Sequence, residues 1–349
     1  MKKFSLVMCA FILCVLSAVT LAGCGNNPNW ISVDSEDTLA EALNNKSSHI
    51  RLTEDISLSS VLNIGNSCSI DLNTHTLTLD ASNDNTKTRQ AVVRVDGKTA
   101  EKTVDVTIEN GKLVKSSSGN AVATAVQSVY NSKLNLKGVE VVSDSQGVIA
   151  SYGSTLNLDN CKVESKWQTI GTNNTQPGKG NTISATNSDL VSTSDVSVFV
   201  SNYTKLNISK SKIKGLTGMH ILLGDINVTD SEIIATSSYN PYTSGNVMAS
   251  GTKENEGSAI VVRANHYYDS SYKTNDLNLN FTNNTITTTS GVDVTIYDLN
   301  NTKGFIPSTA EANLIVNSSE KAENYFADKD LTVKVYRLNN GTLSLVENA

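Results

Sequence analysis

The fold is decided by an eight-residue pattern whose clearest copy is Leu134-Asn135-Leu136-Lys137-Gly138-Val139-Glu140-Val141. Other clear copies span residues 156–163, 206–213 and 226–233, and four more begin at Ile70, Val106, Ile183 and Leu279. Positions one, three and eight are apolar in every copy. The pattern therefore alternates with period two, bends once and alternates again, which predicts a short strand, a kink and a second strand.

Position five supplies the kink. Two of the eight copies have Thr74 and Lys210 there, which are exceptions. The others carry residue types that tolerate a left-handed backbone conformation. These six are Asn110, Gly138, Asn160, Asn187, Asp230 and Asn283.

The spacing of the copies predicts a stack of similar units. Most copies begin 20 to 28 residues apart, and a further apolar run lies between copies at residues 148–150, 198–200, 221–223 and 260–262. Each unit therefore has about three short strands. Because one such unit cannot bury its apolar face alone, like strands should pair in parallel at about 4.8 Å.

This pattern resembles the right-handed parallel β-helix of the pectate-lyase-like superfamily over residues 50–300. The resemblance implies an all-β fold, a single-stranded parallel solenoid, and implies little about activity because one fold serves many functions. We expect one domain over residues 31–349, with an N-terminal cap (31–49), coils (50–300) and a C-terminal cap (301–349). Residues 35–43 predict a short capping helix, and Asn340-Gly341 predicts a hairpin turn between residues 331–338 and 342–346.

The N-terminus predicts export and lipidation. Lys2 and Lys3 precede an apolar run at residues 4–21, which is typical of a signal peptide. The segment Leu21-Ala22-Gly23-Cys24 resembles the bacterial lipobox, so residues 1–23 would be removed, Cys24 would carry lipid, and residues 24–30 would form a tether. A transmembrane helix, or an ordinary signal with a chance cysteine, is the alternative. We expect an extracytoplasmic protein, lipid-anchored to a bacterial membrane at the cell surface or outer membrane.

Charge and cysteine content limit the classes of partner and of fold stabilisation that the sequence supports. Only 18% of residues are charged and the formal net charge is −6, which argues against nucleic acid as a partner. Outside the N-terminal segment only Cys68 and Cys161 remain, which is too few for a disulfide framework. Cys161 stands at position six of its copy, where we expect it to pack inward as a small apolar side chain.

The longest interruption of the pattern, residues 235–276, is the leading candidate for ligand binding. It holds five of the 11 tyrosines of the chain. Tyrosine rings stack on sugars, and arginine and histidine add hydrogen bonds. The same side chains would equally suit packing of a long loop, or an acid/base site that includes Asp269. The binding candidates are Tyr239, Tyr242, Arg263, His266, Tyr267, Tyr268 and Tyr272.

Catalytic signals are weak elsewhere. A lyase that resembles pectate lyases would need stacked acids for Ca²⁺, but the expected outward positions carry residues such as Gln127, Phe199 and Val261. Pectin hydrolases resemble one another in a Gly-His-Gly segment and paired aspartates, and His220 lacks both the second glycine and the aspartate pair. A surface or coil role is therefore preferred for His220. His75 is expected to pack inward. No cofactor is implied, and Ca²⁺ enters only with the lyase alternative.

The sequence thus predicts a surface lipoprotein whose loops bind a glycan or a cell-surface partner. Two other classes stay open. One is a polysaccharide lyase or glycosidase that acts on an extracellular polysaccharide, and the other is a structural envelope protein.

Overall fold

The computed structural model describes residues 29–82, 91–117, 123–173, 180–238, 257–262, 277–298, 333–339 and 342–346. The chain divides into Met1–Trp30 and Ile31–Ala349. The second unit is all-β, with long parallel sheets and one short helix in its described part. No helix in that part has the length and apolar character needed to cross a bilayer.

In the described residues, the first and second strands of the repeats belong to one sheet, which we call sheet A. Two long strands connect the two sets, because each of them runs through both the first-strand and the second-strand position. These two strands are Val104–Ser117 and Ser132–Ser143. The other first strands are Ile31–Val33, His49–Leu52, Cys68–Asp71, Thr155–Asp159, Asn181–Thr186, Thr204–Ser209, Gly224–Thr229 and Leu277–Thr282. The other second strands are Ile56–Leu58, Thr76–Ala81, Lys162–Ser165, Asp189–Ser192, Lys212–Gly215, Glu232–Ala235 and Thr285–Thr288.

Sheet B contains the third strands and ends in the predicted hairpin. Its strands are Leu62–Ile64, Val93–Asp96, Thr124–Val129, Gln146–Ser151, Ile170–Asn173, Val196–Val200, Thr217–Ile221, Ile260–Val262, Val294–Asp298, Val333–Asn339 and Thr342–Val346. The last two pair antiparallel with Asn339 opposite Thr342, which confirms the hairpin. The other pairings in sheet B are parallel.

Successive repeats pair in the register that the pattern predicts. Leu134 pairs with Leu156, Leu156 with Ile183, and Ile183 with Leu206. Position one therefore follows position one from repeat to repeat, and the inward residues of both sheets join one apolar core. The parallel, stacked arrangement of strands is confirmed.

The kink at position five is left-handed in all eight copies. The predicted residues have φ between 50° and 59°, and Lys210 and Thr74 have φ of 50° and 70°. The backbone thus imposes this conformation even where the side chain disfavours it. A lysine at φ of 50° costs on the order of 1 kcal/mol relative to glycine, which the surrounding parallel ladders offset.

The first copy is aligned differently from the prediction. Cys68, rather than Ile70, pairs with Val106 at position one, while Leu77 pairs with Leu113 at position eight. Two additional residues therefore occupy this kink.

The wider kink changes the environment of His75. Its side chain is 27% exposed, with Nδ1 3.4 Å from Asp55 Oδ1, so the prediction that it packs inward is wrong. Leu72 fills the interior instead and is fully buried. The next repeat has Gly111 at the matching place, where an added Cβ would overlap the Leu72 side chain.

Position six forms a hydrogen-bonded ladder inside the kink. The Cys161 N–H donates to Ser188 Oγ (3.1 Å), the Ser188 N–H to Ser211 Oγ (3.0 Å), and the Ser211 N–H to Ser231 Oγ (3.1 Å). The Ser231 N–H donates to Asn284 Oδ1 (3.0 Å). Each link pairs a backbone N–H that the kink turns away from the sheet, so the buried kinks carry no cost from unpaired donors here.

Charges alternate on the outward face of the second strands. Lys112 Nζ lies 3.5 Å from Glu140, Lys162 lies 3.3 Å from the same carboxylate, and Lys212 lies 3.5 Å from Glu232. The hydrogen bond with Glu140 is the main cause that raises the pKa of the Lys162 ammonium. Exposed pairs of this kind each contribute little, but the alternation keeps like charges apart along the stack.

The predicted N-terminal helix is confirmed as Glu36–Asn44. Ser35 is its N-cap, and its side chain accepts from the Thr38 N–H while the Thr38 side chain accepts from the Ser35 N–H. Leu39 and Ala42 are buried in the same core as the strands. The helix thus packs its apolar side against the first repeat.

Candidate functional site

A column of amide and hydroxyl side chains runs along the outward face of the first strands. We call it the amide column, and it occupies position two of the repeats. Its neighbours in sequence point inward, as Leu134 and Leu136 do at 0% exposure, whereas the column side chains are half-buried or exposed. In order of register it contains Thr107, Asn135, Asn157, Ser184, Asn207, Asn227 and Asn280.

Hydrogen bonds between side chains orient the amides in two parts of the amide column. Asn157 Nδ2 donates to Asn135 Oδ1 (2.8 Å), and Ser184 Oγ donates to Asn157 Oδ1 (2.7 Å). Farther along, Asn280 Nδ2 donates to Asn227 Oδ1 (2.6 Å). An asparagine side chain has two N–H donors and two oxygen lone pairs. Asn157 therefore keeps one donor and one acceptor for a ligand.

A shallow depression lies at each end of the amide column. The N-terminal depression, about 440 Å³, is lined by Ser48, Ser67, Cys68, Ser69, Asp105, Thr107, Lys133, Asn135 and Lys137. The C-terminal depression, about 370 Å³, is lined by Lys205, Asn207, Asp225, Ile226, Asn227, Asn278, Leu279 and Asn280. Both contain a carboxylate, at least one ammonium group and at least one asparagine, so both can donate and accept hydrogen bonds.

Two stacked tyrosines stand at the corner that leads from sheet B into the first strands. The Tyr130 and Tyr152 rings lie 4.6 Å apart with an interplanar angle of 9°, and Lys98 Nζ is 5.4 Å from the Tyr130 ring centre. Both residues have positive φ, 60° and 59°. A large side chain is uncommon in that region and is disfavoured by roughly 1 kcal/mol. The half-exposed rings place an aromatic surface next to the strands that carry Asn135 and Asn157.

Several side chains in the outward column of sheet B are buried, although the sequence pattern predicts that this column faces outward. Ile149 is 8% exposed and Val261 is fully buried, although both point away from the core cluster. His220 is 1% exposed, and its ring packs edge-on against Phe199 at 5.4 Å. Of the two roles predicted for His220, the coil role is confirmed and the surface role is not. Gln127 and Phe199 are half-buried.

A buried polar chain links three repeats at the turn between sheets A and B. Gln146 Nε2 donates to Gln168 Oε1 (2.8 Å), and Gln168 Nε2 donates to Asp195 Oδ2 (2.7 Å). The Val196 N–H donates to Asp195 Oδ1 (2.7 Å). Burial raises the pKa of the Asp195 carboxyl from 3.8 to about 7, although the Val196 hydrogen bond acts in the opposite direction.

The two described cysteines are buried and not bonded to each other. Cys161 is 3% exposed, and its thiol donates to the Leu136 carbonyl at 3.3 Å, which confirms the predicted inward packing. Burial raises the pKa of both thiols, that of Cys68 to about 11. The thiolate form is therefore disfavoured at both positions.

The tyrosine-rich candidates lie outside the described residues. These are Tyr239, Tyr242, Arg263, His266, Tyr267, Tyr268 and Tyr272, and the lipidation candidate Cys24 lies outside them as well. Trp167 is half-buried. In the described ranges no three His, Cys, Asp or Glu side chains come close enough to hold a metal ion.

Sequence reasoning missed the amide column and the stacked tyrosines, although signals for both were present. Position two is asparagine in five of the eight copies as the sequence aligns them. A tyrosine also stands four residues before Leu134 and before Leu156, in Tyr130 and Tyr152. The inward positions carry the hydrophobic signal that determines the fold, whereas the alternating outward positions indicate only a polar surface.

No family model, no curated protein and no solved structure matches the chain.

Proposed function

We propose that this protein is a right-handed parallel β-helix that binds a linear, uncharged glycan along its amide column at the bacterial cell surface. The observation that carries the proposal is the ladder of asparagines on the outward face of the first strands. The solenoid architecture is supported by the unbroken register of first strands from Cys68 to Leu279.

The hydrogen-bonding capacity of the amide column suits sugar hydroxyl and acetamido groups. Each of these ligand groups contains both a donor and an acceptor, as does the unused half of an asparagine amide. Because the Asn157 amide is already held by Asn135 and Ser184, little side-chain freedom is lost when a ligand binds. This reduces the entropic cost of recognition.

The electrostatics of the column favour an uncharged ligand. Asn157, Ser184 and Asn207 carry no charge, and the charged groups two residues away on the same outward face, Asp159 and Lys205, have opposite signs. A polyanion or polycation would find no uniform opposite field along the middle of the face. A neutral polymer needs none.

Anchoring by lipid on Cys24 belongs to the same proposal. The lipobox resemblance at residues 21–24 supports it. A short tether at residues 24–30 would keep the glycan-binding unit next to the membrane from which the protein is displayed.

The amide column is tested by replacing Asn135, Asn157 and Asn227 together with valine, which keeps strand propensity but removes the amides. The matched control places valine at Thr285 and Thr287 on the outward face of a second strand. The proteins are titrated with β-1,4-linked oligosaccharides of N-acetylglucosamine, glucose and xylose, and their melting temperatures are compared. We expect wild type and control to bind at least one sugar and the triple variant to lose binding while it stays folded.

Two outcomes contradict the proposal. If wild type binds none of these glycans, the function is wrong. If the triple variant binds as wild type does, the contact lies elsewhere, and replacement of Tyr267 and Tyr268 by alanine then tests the tyrosine-rich segment.

A further inference from the structure

We propose that the amide column holds one extended polymer chain through two equivalent subsites, one in each depression. This inference rests on the proposed glycan function and adds that the ligand must be long. It comes from the fact that the two depressions share the same three chemical groups in the same two columns of the sheet. In each, a carboxylate and an ammonium group lie side by side in register, and an asparagine of the amide column lies next to them.

The N-terminal subsite is built around Asp105. This carboxylate accepts from Lys133 Nζ at 3.0 Å through one oxygen and from Asn135 Nδ2 at 2.8 Å through the other. Lys133 and Asp105 are register partners on adjacent first strands. All three side chains line the depression, so their remaining donors and lone pairs converge on the same space.

The C-terminal subsite is built around Asp225, which is held by other donors. Its oxygens accept from Tyr203 Oη at 2.7 Å and from Asn278 Nδ2 at 2.6 Å. Lys205 is its register partner, and Asn227 extends the subsite into the amide column. The carboxylate is thus fixed by two donors here, as Asp105 is fixed in the other subsite.

Fixed carboxylates and ammonium groups recognise hydroxyl groups by accepting and donating at once. The carboxylate accepts a hydroxyl proton, and the nearby ammonium donates to a neighbouring oxygen, which gives charge-assisted hydrogen bonds to an uncharged ligand. Both subsites offer this pair, so both take the same kind of sugar unit.

The separation of the subsites sets the length of the ligand. Asn135 and Asn227 are four register steps apart, through Asn157, Ser184 and Asn207, which is about 19 Å at about 4.8 Å per step. A disaccharide is too short to reach both subsites, whereas a hexasaccharide spans them. Once one end is bound, the other end meets the second subsite at high effective concentration.

The experiment measures affinity and stoichiometry by calorimetry for β-1,4-linked disaccharides and hexasaccharides of N-acetylglucosamine, glucose and xylose. One variant removes the N-terminal subsite (Lys133→Gln with Asn135→Val), and another removes the C-terminal subsite (Lys205→Gln with Asn227→Val). We expect wild type to bind one hexasaccharide on the order of a hundredfold tighter than a disaccharide, and to bind two disaccharides, one in each depression. Each variant should bind one disaccharide with unchanged affinity and lose the hexasaccharide advantage.

The outcomes separate this inference from the glycan function. Equal affinity for the short and long sugars, or loss of all binding in one variant alone, means a single subsite and overturns the inference while glycan binding stands. Failure of wild type to bind any of the six sugars overturns both. Melting curves of the two variants, and Lys133→Gln and Lys205→Gln measured singly, show whether a lost response reflects the subsite or the fold.

Discussion

We expect Asp195 to make the stability of this protein depend on pH in a direction opposite to that of most carboxylates. Its carboxyl is 1% exposed and accepts from Gln168 Nε2 and from the Val196 N–H. Burial raises its pKa from 3.8 to about 7, and a difference of this size corresponds to at most ~4 kcal/mol.

The sign follows from which state binds the proton. Between about pH 4 and pH 7 the folded protein holds a proton on Asp195 that the unfolded chain has released. The contribution of the neutral Asp195 carboxyl to the free energy of unfolding is therefore fully present below pH 3.8 and is lost as pH rises through about 7.

Asparagine at position 195 mimics the protonated acid and does not titrate. Its Oδ1 accepts from the Val196 N–H, and its Nδ2 donates to Gln168 once that amide rotates by half a turn. Gln146 must then rotate as well, which is feasible because it is only half-buried. The protonated carboxyl needs the same rearrangement, so Asp195→Asn is a matched substitution.

The assay is urea unfolding of wild type and Asp195→Asn at about pH 4, 6 and 8. We expect the variant to gain stability relative to wild type as pH rises, by up to ~4 kcal/mol across this range. The control is Asp189→Asn, which removes an exposed carboxylate from the preceding strand. If the difference between wild type and Asp195→Asn is the same at all three pH values, the argument from burial is refuted.

Three further predictions concern the core, the charge ladder and the anchor. Ile208 is 1% exposed, so Ile208→Asp should lower the free energy of unfolding by several kcal/mol in urea titrations because the core gives the charge no partner; an unchanged midpoint would contradict the register. Glu140→Lys places three ammonium groups in a row with Lys112 and Lys162. It should lower the urea midpoint at low salt and much less near 1 M salt, where the screening length falls to about 3 Å, and a salt-independent loss would argue against charge repulsion. Cys24→Ser should move the protein from the detergent phase to the aqueous phase because serine has no thiol to accept the lipid, and unchanged partitioning would contradict the lipoprotein hypothesis.

The inward half of this fold could be predicted from the sequence, because apolar alternation and kink residues act locally. Position five is left-handed throughout, even at Thr74 and Lys210, where residue type gave no indication. The error at the first copy has a physical reason. The positions after Thr74 match the pattern, but Leu72 fills the kink from inside and shifts position one to Cys68.

The candidate site could be predicted much less well. Outward residues carry no hydrophobic signal, so the asparagine ladder becomes visible only when register partners such as Asn135 and Asn157 are known. Val261 was expected to face outward and is fully buried, because burial on the outward side of a sheet depends on what covers it. No periodicity in the strand itself encodes that cover.

The hydrogen bonds of the position-six ladder all point in the same direction along the stack, and each repeat contributes one donor and one acceptor to the ladder. Every link from Cys161 to Asn284 runs from a backbone N–H to the side-chain oxygen of the following repeat. Copying a whole serine-bearing repeat adds one donor and one acceptor together and leaves every link complete. Removing one hydroxyl, as in Ser211→Ala, leaves the buried N–H of Ser188 without an acceptor, which should lower the free energy of unfolding by about 1 to 3 kcal/mol. Lengthening the stack by duplication of a whole repeat should therefore disturb this ladder less than loss of the side-chain oxygen in a single repeat.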